Sequence, residues 1–502
     1  MLNDSSPGGH APRAACWERK SDCTRWSTPD GTDGGGATPM GRMLRGGLPA
    51  PGAGYPRPKG MSGRSRYKGW PLRAEPKRVA RYAWPAGLAA AGAAWYAADS
   101  LRHRRESGHG YTLRGEVDVA EANFLRACEA LTGAPISYGN DAELLVNGDH
   151  IFPAYLDAIR NAEETVNLLT YAYWKGDIAI EVADALCDRA RSDVECNVII
   201  DALGGAQMDR KLVDKMREAG VDFCWFRPLK LYAVRRLENR THRKLLIVDG
   251  RLGFTGGVGI AEEWTGDAQD PDHWRDSHVR VQGPVVRGLQ GAFAENWLEG
   301  TGNVLAGDRY LPKLDEVEDG GPMQVMRSSA TVGDTNAEAL IYLALAAAKE
   351  KIELTSAYFV PRPAFTDALV EAAERGVEMR ILVPGPHIDK EFVRTAGRAA
   401  YDELLEAGIR LFEYSPTMLH AKSLVIDEIW ACVGSVNFDN RSFQLHDEVA
   451  LCVQSERFAR ELHEQFEKDL RVSEEIDREH WDERPRIQRA RELVTKYARR
   501  EL

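Results

Sequence analysis

The chain has 502 residues, enough for two large domains, with a formal net charge of −11 and 43% hydrophobic residues. That acidic balance argues against broad nucleic-acid binding. The eight cysteines are scattered without a Cys-x2-Cys pair, which argues against a zinc site and fits a reducing compartment.

Residues 1–75 are rich in Gly, Pro, Ser and Arg and lack periodicity, so they are expected to form a disordered N-terminal extension. Residues 76–108 contain the one apolar run of note, 82–98. It carries no charge, has Tyr82, Trp84, Trp95 and Tyr96 near its ends, and lies between Arg81 and Arg102. This reads as a candidate membrane anchor with basic flanks, at the lower limit of spanning length.

Residues 109–320 and 321–480 read as two tandem halves of one design. In the first, helices are expected at 152–164, 178–192 and 209–220, and strands at 165–173, 194–202 and 221–226. A basic stretch follows, with Arg227, Lys230, Arg235, Arg236, Arg240, Arg243 and Lys244 against Glu238 alone. Apolar residues interleave it, so it could touch an anionic lipid surface.

The stretch ends in His242-Arg243-Lys244, four apolar residues and Asp249, and six residues later come Gly256-Gly257. The second half repeats the order: helices at 337–349, 364–375 and 389–407, strands at 351–360, 377–383 and 409–414. Then come His420-Ala421-Lys422, four residues, Asp427, six residues and Gly434-Ser435. In each motif His and Lys are two apart, so on a strand they share a face. Leu169 to Tyr173 also matches Leu354 to Tyr358. Apolar strands alternating with amphipathic helices imply α/β layers with mostly parallel strands. Residues 481–502 read as a charged helical tail.

The residue types point to phosphodiester chemistry. A neutral imidazole is a nucleophile near pH 7. A second, protonated imidazole can hand a proton to the departing alcohol and later withdraw one. Ammonium groups stabilise the charge that builds on the phosphoryl oxygens. One His-x-Lys unit is therefore half a site, and two complete it at the interface of the halves. The glycine pairs would allow close backbone approach to a phosphate.

The paired motifs resemble those of the phospholipase D superfamily, whose pattern is His-x-Lys-x4-Asp-x6-Gly-Ser-x-Asn. The resemblance covers roughly 110–480. Within the superfamily the chain looks most like bacterial cardiolipin synthases, on Thr241 to Gly250, Phe254 to Val258, Trp274 to His278, Ala357 to Pro361 and Gly434 to Ser442.

The resemblance implies a fold of two phospholipase D-like halves, each a mostly parallel sheet flanked by helices, with the active site at their interface. It implies a catalytic set of His242, Lys244, Asp249, His420, Lys422 and Asp427, in which the two aspartates are supports. It implies that Asp276 and Glu448 orient the histidines, and that Gly257, Ser435 and Asn437 line the phosphate. No metal and no cofactor is expected.

The implied activity is phosphatidyl transfer from one phosphatidylglycerol to a second, through a phosphohistidine, at a membrane surface. The alternative is hydrolysis to phosphatidic acid; a nuclease or a non-catalytic lipid-binding protein fits less well. The implied location is the cell inner membrane, with a cytoplasmic catalytic domain.

The first motif departs from the pattern, with Gly257 where Ser is usual and Gly259 where Asn is usual. That predicts an asymmetric site. Trp174 reads as a packed interface aromatic, with a place in an acyl or headgroup pocket as the alternative, and His446, two residues before Glu448, as a polar surface residue or else a neighbour of the site.

Overall fold

A computed structural model describes residues 111–228, 238–331 and 334–485. The described residues all belong to one compact unit within 104–502. The expected N-terminal extension, the apolar run 82–98 and most of the C-terminal tail lie outside the described residues. Among the described residues no helix is long and apolar enough to cross a membrane.

The strands of the first half are β1 (Ser137–Val146), β2 (Thr165–Thr170), β3 (Glu195–Asp201), β4 (Asp222–Phe226), β5 (Arg240–Thr241), β6 (Leu245–Val248), β7 (Leu252–Gly256) and β8 (Ser277–Gln282). The second half supplies β9 (Gly321–Ser328), β10 (Lys351–Thr355), β11 (Glu378–Pro384), β12 (Arg410–Tyr414), β13 (Ser423–Ile426), β14 (Trp430–Gly434), β15 (His446–Gln454) and β16 (Ser473–Glu475). They form one sheet in the order β16-β12-β11-β10-β13-β14-β15-β9-β1-β8-β7-β6-β2-β3-β4, with β5 joined to β15 off that path.

Read outward from the centre, β1-β8-β7-β6-β2-β3-β4 matches β9-β15-β14-β13-β10-β11-β12 position for position. The two halves are therefore repeats placed back to back, and β1 and β9 pair antiparallel where they meet.

The strand directions correct one expectation. The pairs β2–β3, β3–β4, β10–β11 and β11–β12 are parallel. The motif strands are not: β6 pairs antiparallel with both β2 and β7, and β13 with both β10 and β14. The cause is local. Parallel neighbours need a crossover, and helices such as Asp177–Ala190 and Pro363–Glu374 supply it. After each motif strand the chain turns within a few residues, which permits only a hairpin.

Asp249 and Asp427 make those turns. Both take left-handed backbone (φ 53 for each), a conformation Asp tolerates. Asp249 accepts the backbone N–H groups of Glu163, Glu164 and Thr165, and Asp427 those of Lys349, Glu350 and Lys351. Each carboxylate thus ties a hairpin to the start of the neighbouring strand, at the end of the motif strand away from the histidine.

β2 is buried at every position, as a central strand covered on both faces must be. One apolar cluster lies in the first half, and another fills the second half together with Phe124 and Leu125 of helix Ala122–Thr132. A third is shared: helix Val286–Thr301 contributes Leu289 and Phe293, and helix Glu456–Leu470 contributes Phe458 and Leu462. Buried Arg275 crosses between halves, donating to both carboxylate oxygens of Asp469 at 3.0 and 2.8 Å.

Helix 389–407 was expected whole, but it is two helices, Glu391–Arg398 and Tyr401–Glu406. The chain at 473–475 adds the edge strand β16 to β12.

Candidate active site

His242 and Lys244 lie just before β6, and His420 and Lys422 just before β13, in extended chain rather than within the strands. Backbone bonds from the opposite half hold both segments. His242 N–H donates to Asp447 O at 2.8 Å, and His420 N–H to Arg275 O at 2.7 Å. Both lysine ammonium groups fold back onto the carbonyl of their own histidine. All four side chains are buried.

The carboxylates pair crosswise. His242 Nδ1 lies 3.0 Å from Glu448 of the second half. His420 Nδ1 lies 2.7 Å from Asp276 Oδ2 of the first. A carboxylate on Nδ1 keeps the proton there and leaves Nε2 as the lone-pair nitrogen. Burial lowers His242 to about 3 and His420 to about 4, outweighing the attraction of their carboxylates. Both imidazoles are therefore neutral at pH 7.

Burial opposes charge on Asp276, but His420, Lys422 and the Ser277 N–H overcome it and hold the carboxyl below its ordinary range. Glu448 is lowered in the same way by His242 and His446. Lys422 falls to about 8 through burial, although Asp276 and Glu448 resist the fall. Lys244 is driven well below its ordinary value, by burial and then by Lys422. The two lysines and both carboxylates thus act within one charge cluster.

The glycine and serine positions differ from expectation. Gly257 N–H is spent on Ser277 O at 3.1 Å, and a Cβ there would lie 2.7 Å from the Asp276 carboxyl carbon. Glycine stands here to admit a carboxylate rather than a phosphate. Ser435 N–H donates to Val449 O at 2.9 Å, and its hydroxyl donates to Glu448. Asn437 Oδ1 accepts Tyr358 N–H at 3.3 Å. Asp249 and Asp427 are turn anchors and touch neither histidine.

The basic stretch turns inward where it is described. Arg227 pairs with Glu299 and Asp447, Arg240 with Asp201, and Arg243 with Glu295. Residues 229–237, on which the expectation of lipid contact mainly rested, lie outside the described residues.

Aromatic rings and a third histidine surround the two catalytic candidates, and of these Trp264 was not singled out in the sequence. Around His420 stand Trp264 and Trp274, with ring centroids at 5.3 and 5.6 Å, and Trp174 packs against both tryptophans. Around His242 stand Tyr171 at 5.5 Å and His446 at 5.6 Å. Of the two readings of His446, the place beside the site is the one the structure shows.

The donor atoms of His242, His446 and Glu448 lie within 4.8 Å of one another, as do those of Glu353, His463 and Glu467. In the second group Arg380 and Lys351 already occupy Glu353, and Arg380 also holds Glu467. In the first, Glu448 is already the hydrogen-bond acceptor of His242.

Two buried histidine–carboxylate pairs with two lysines can attack, protonate and electrostatically cradle a phosphodiester. A family model described as "Cardiolipin synthase, PLD-like domain" matches residues 155–272 and 341–470. The cardiolipin synthase of Alkalihalophilus pseudofirmus is 31% identical over 376 residues, 74% of each chain. That of Halalkalibacterium halodurans is 32% identical over 355 residues, 70% of each chain. Among solved structures, phosphatidylserine synthase of Haemophilus influenzae shares the fold, with a TM-score of 0.57 at 13% identity over 76% of this chain and 100% of that one.

Proposed function

This chain belongs to the cardiolipin synthase family of phospholipase D-like proteins and is a phospholipase D-type phosphatidyltransferase; from that premise we propose that it joins two phosphatidylglycerol molecules into cardiolipin through a phosphohistidine. The observation that carries this reading is the crosswise pairing of His242 with Glu448 and His420 with Asp276.

In the proposed reaction His242 Nε2 attacks the phosphorus of the first lipid. His420 takes a proton from solvent onto Nε2 as the anionic phosphate enters; the bond to the headgroup glycerol then breaks, and His420 gives that proton to the departing glycerol oxygen. Lys244 and Lys422 face the non-bridging oxygens, and Asn437 offers its amide N–H2 to the same phosphate. His420 then takes the proton of the second lipid's glycerol hydroxyl. That oxygen attacks the phosphohistidine, giving cardiolipin and free His242.

Burial leaves both imidazoles unprotonated in the free protein, and we assign His242 as the nucleophile and His420 as the proton carrier. Asp276 and Glu448 keep each imidazole in the tautomer that presents Nε2. The water-excluding burial of the site favours a lipid hydroxyl over water as acceptor. We place the enzyme at a membrane surface, where both substrates reside.

Purified protein given phosphatidylglycerol vesicles is expected to yield cardiolipin and glycerol by lipid mass spectrometry. His242→Ala and His420→Ala, both folded, are expected to yield neither. Phosphatidic acid in place of cardiolipin would make the enzyme a hydrolase. With a phosphatidyl ester of p-nitrophenol, which leaves without a proton, His420→Ala should retain phosphorus on the peptide containing His242. Label on no histidine peptide would sink the covalent route.

A further inference from the structure

The departures at Gly257 and Gly259 leave the first half without the hydroxyl and amide that Ser435 and Asn437 supply in the second. The two halves align closely enough to show what replaces them. Gly257 donates its N–H to Ser277 O, one residue beyond Asp276; Ser435 donates its N–H to Val449 O, one residue beyond Glu448. Gly257 and Asp276 therefore occupy the places of Ser435 and Glu448.

In the second half the Ser435 hydroxyl donates to Glu448. In the first, Trp264 Nε1–H donates to Asp276 Oδ2 at 2.9 Å. The indole comes from the short 3-10 helix Glu262–Trp264, is 3% exposed, and lies with its ring centroid 5.3 Å from that of His420.

Both glycines make room for this arrangement. A Cβ on Gly257 would collide with the Asp276 carboxylate. A Cβ on Gly259 would lie 2.9 Å from Ala172 Cβ and 3.0 Å from the Trp264 ring. Real Cβ atoms are rarely that close, so Asn at 259 and indole at 264 compete for one space. Glutamate is one methylene longer than aspartate, so Glu448 can take up a serine hydroxyl while Asp276 sits over bare backbone and meets an indole.

We propose that Trp264 is a positioning residue of the transfer reaction: its indole N–H holds Asp276, and through it His420, in place of the hydroxyl–amide pair that the second half retains. The proposal rests on the reading that His420 carries protons during turnover. Asp276 Oδ2 then has two donors, the indole and His420 Nδ1–H, while Oδ1 accepts Ser277 N–H at 2.8 Å. The indole fixes the carboxylate without supplying a competing charge, and its ring closes one side of His420 against water.

Trp264→Phe keeps a ring beside His420 and removes the donor. The expected result is a fall in kcat of about tenfold or more, since a hydrogen bond to a charged group is worth at least that factor, with KM little changed. The His420 titration, followed by NMR of 15N-labelled histidine, should move upward, because a carboxylate with one donor fewer attracts the imidazolium proton more strongly. The His242 titration should stay where it is.

An unchanged kcat, an unmoved His420, or equal movement of both histidines would each overturn the proposal; the last is the mark of general loosening. In the unsubstituted protein the Trp264 indole N–H resonance should follow the His420 titration. A resonance indifferent to it overturns the proposal even where Trp264→Phe does not fold. These titrations need no substrate. Failure of phosphatidylglycerol as donor would therefore sink the functional reading and leave this one standing or falling by itself.

Discussion

At the scale of single residues, the two lysines are not equivalent. In the free protein Lys244 is driven far below its ordinary value, whereas Lys422 falls only to about 8. At pH 7 Lys422 is thus still an ammonium when a phosphodiester arrives. Deprotonation occurs as pH rises, so its charge is present below about pH 8 and lost above it. The free-enzyme profile, kcat/KM against pH, should therefore decline on the alkaline side with a midpoint near 8. Lys422→Arg carries a charge that does not titrate in this range, so it should abolish that decline, whatever the absolute rate. An alkaline limb that persists in Lys422→Arg would assign it to another group. The lysines and histidines were legible in the sequence through their paired spacing, and the resemblance to the phospholipase D superfamily pointed to Asp276 and Glu448. Trp264 was not legible. It precedes Asp276 by twelve positions across a loop with no periodicity, and only the fold shows that its ring occupies the space a Cβ on Gly259 would need.

At the scale of elements, the motif aspartates belong to the hairpins rather than to the chemistry. Each gathers three backbone N–H groups and holds a left-handed turn that binds a motif strand to its neighbour. Asp249→Ala loses the acceptor and leaves a less tolerant residue at φ 53. A destabilisation of about 2–3 kcal/mol is expected from charge-assisted bonds of this kind. Denaturant unfolding should show Asp427→Ala to be affected to a similar degree, and activity should fall in step with the folded fraction. A large loss of kcat in a fully folded Asp249→Ala would contradict this division of labour. The same hairpins explain what the sequence concealed. Helix–strand alternation is visible as far as β4 and β12, and the parallel pairs there follow from it. Beyond those strands the connections shorten, and a buried antiparallel strand such as β6 has the same unbroken apolar run as a parallel one. Periodicity cannot separate the two, whereas the tight turns at Asp249 and Asp427 can.

At the scale of the whole molecule, neither half holds a complete catalytic group. His242 depends on Glu448 from the second repeat, and His420 on Asp276 from the first. The backbone N–H of each histidine is likewise held by a carbonyl of the opposite half. β9 lies between β15 and β1, so the sheet itself runs through the junction, and the Arg275–Asp469 pair is buried across it. Duplication therefore does more than supply two copies of a motif: each copy orients the other's imidazole. It follows that a chain cut within 302–320, between helix Val286–Thr301 and β9, should yield two fragments that are each inactive alone. Co-expressed, they should associate through β1, β9 and the shared apolar cluster and regain phosphatidyl transfer. The decisive control places Glu448→Gln in the second fragment, which should disable the His242 contributed by the first. Appreciable activity in either fragment alone would mean that a half can orient its own histidine, which the crosswise geometry does not allow.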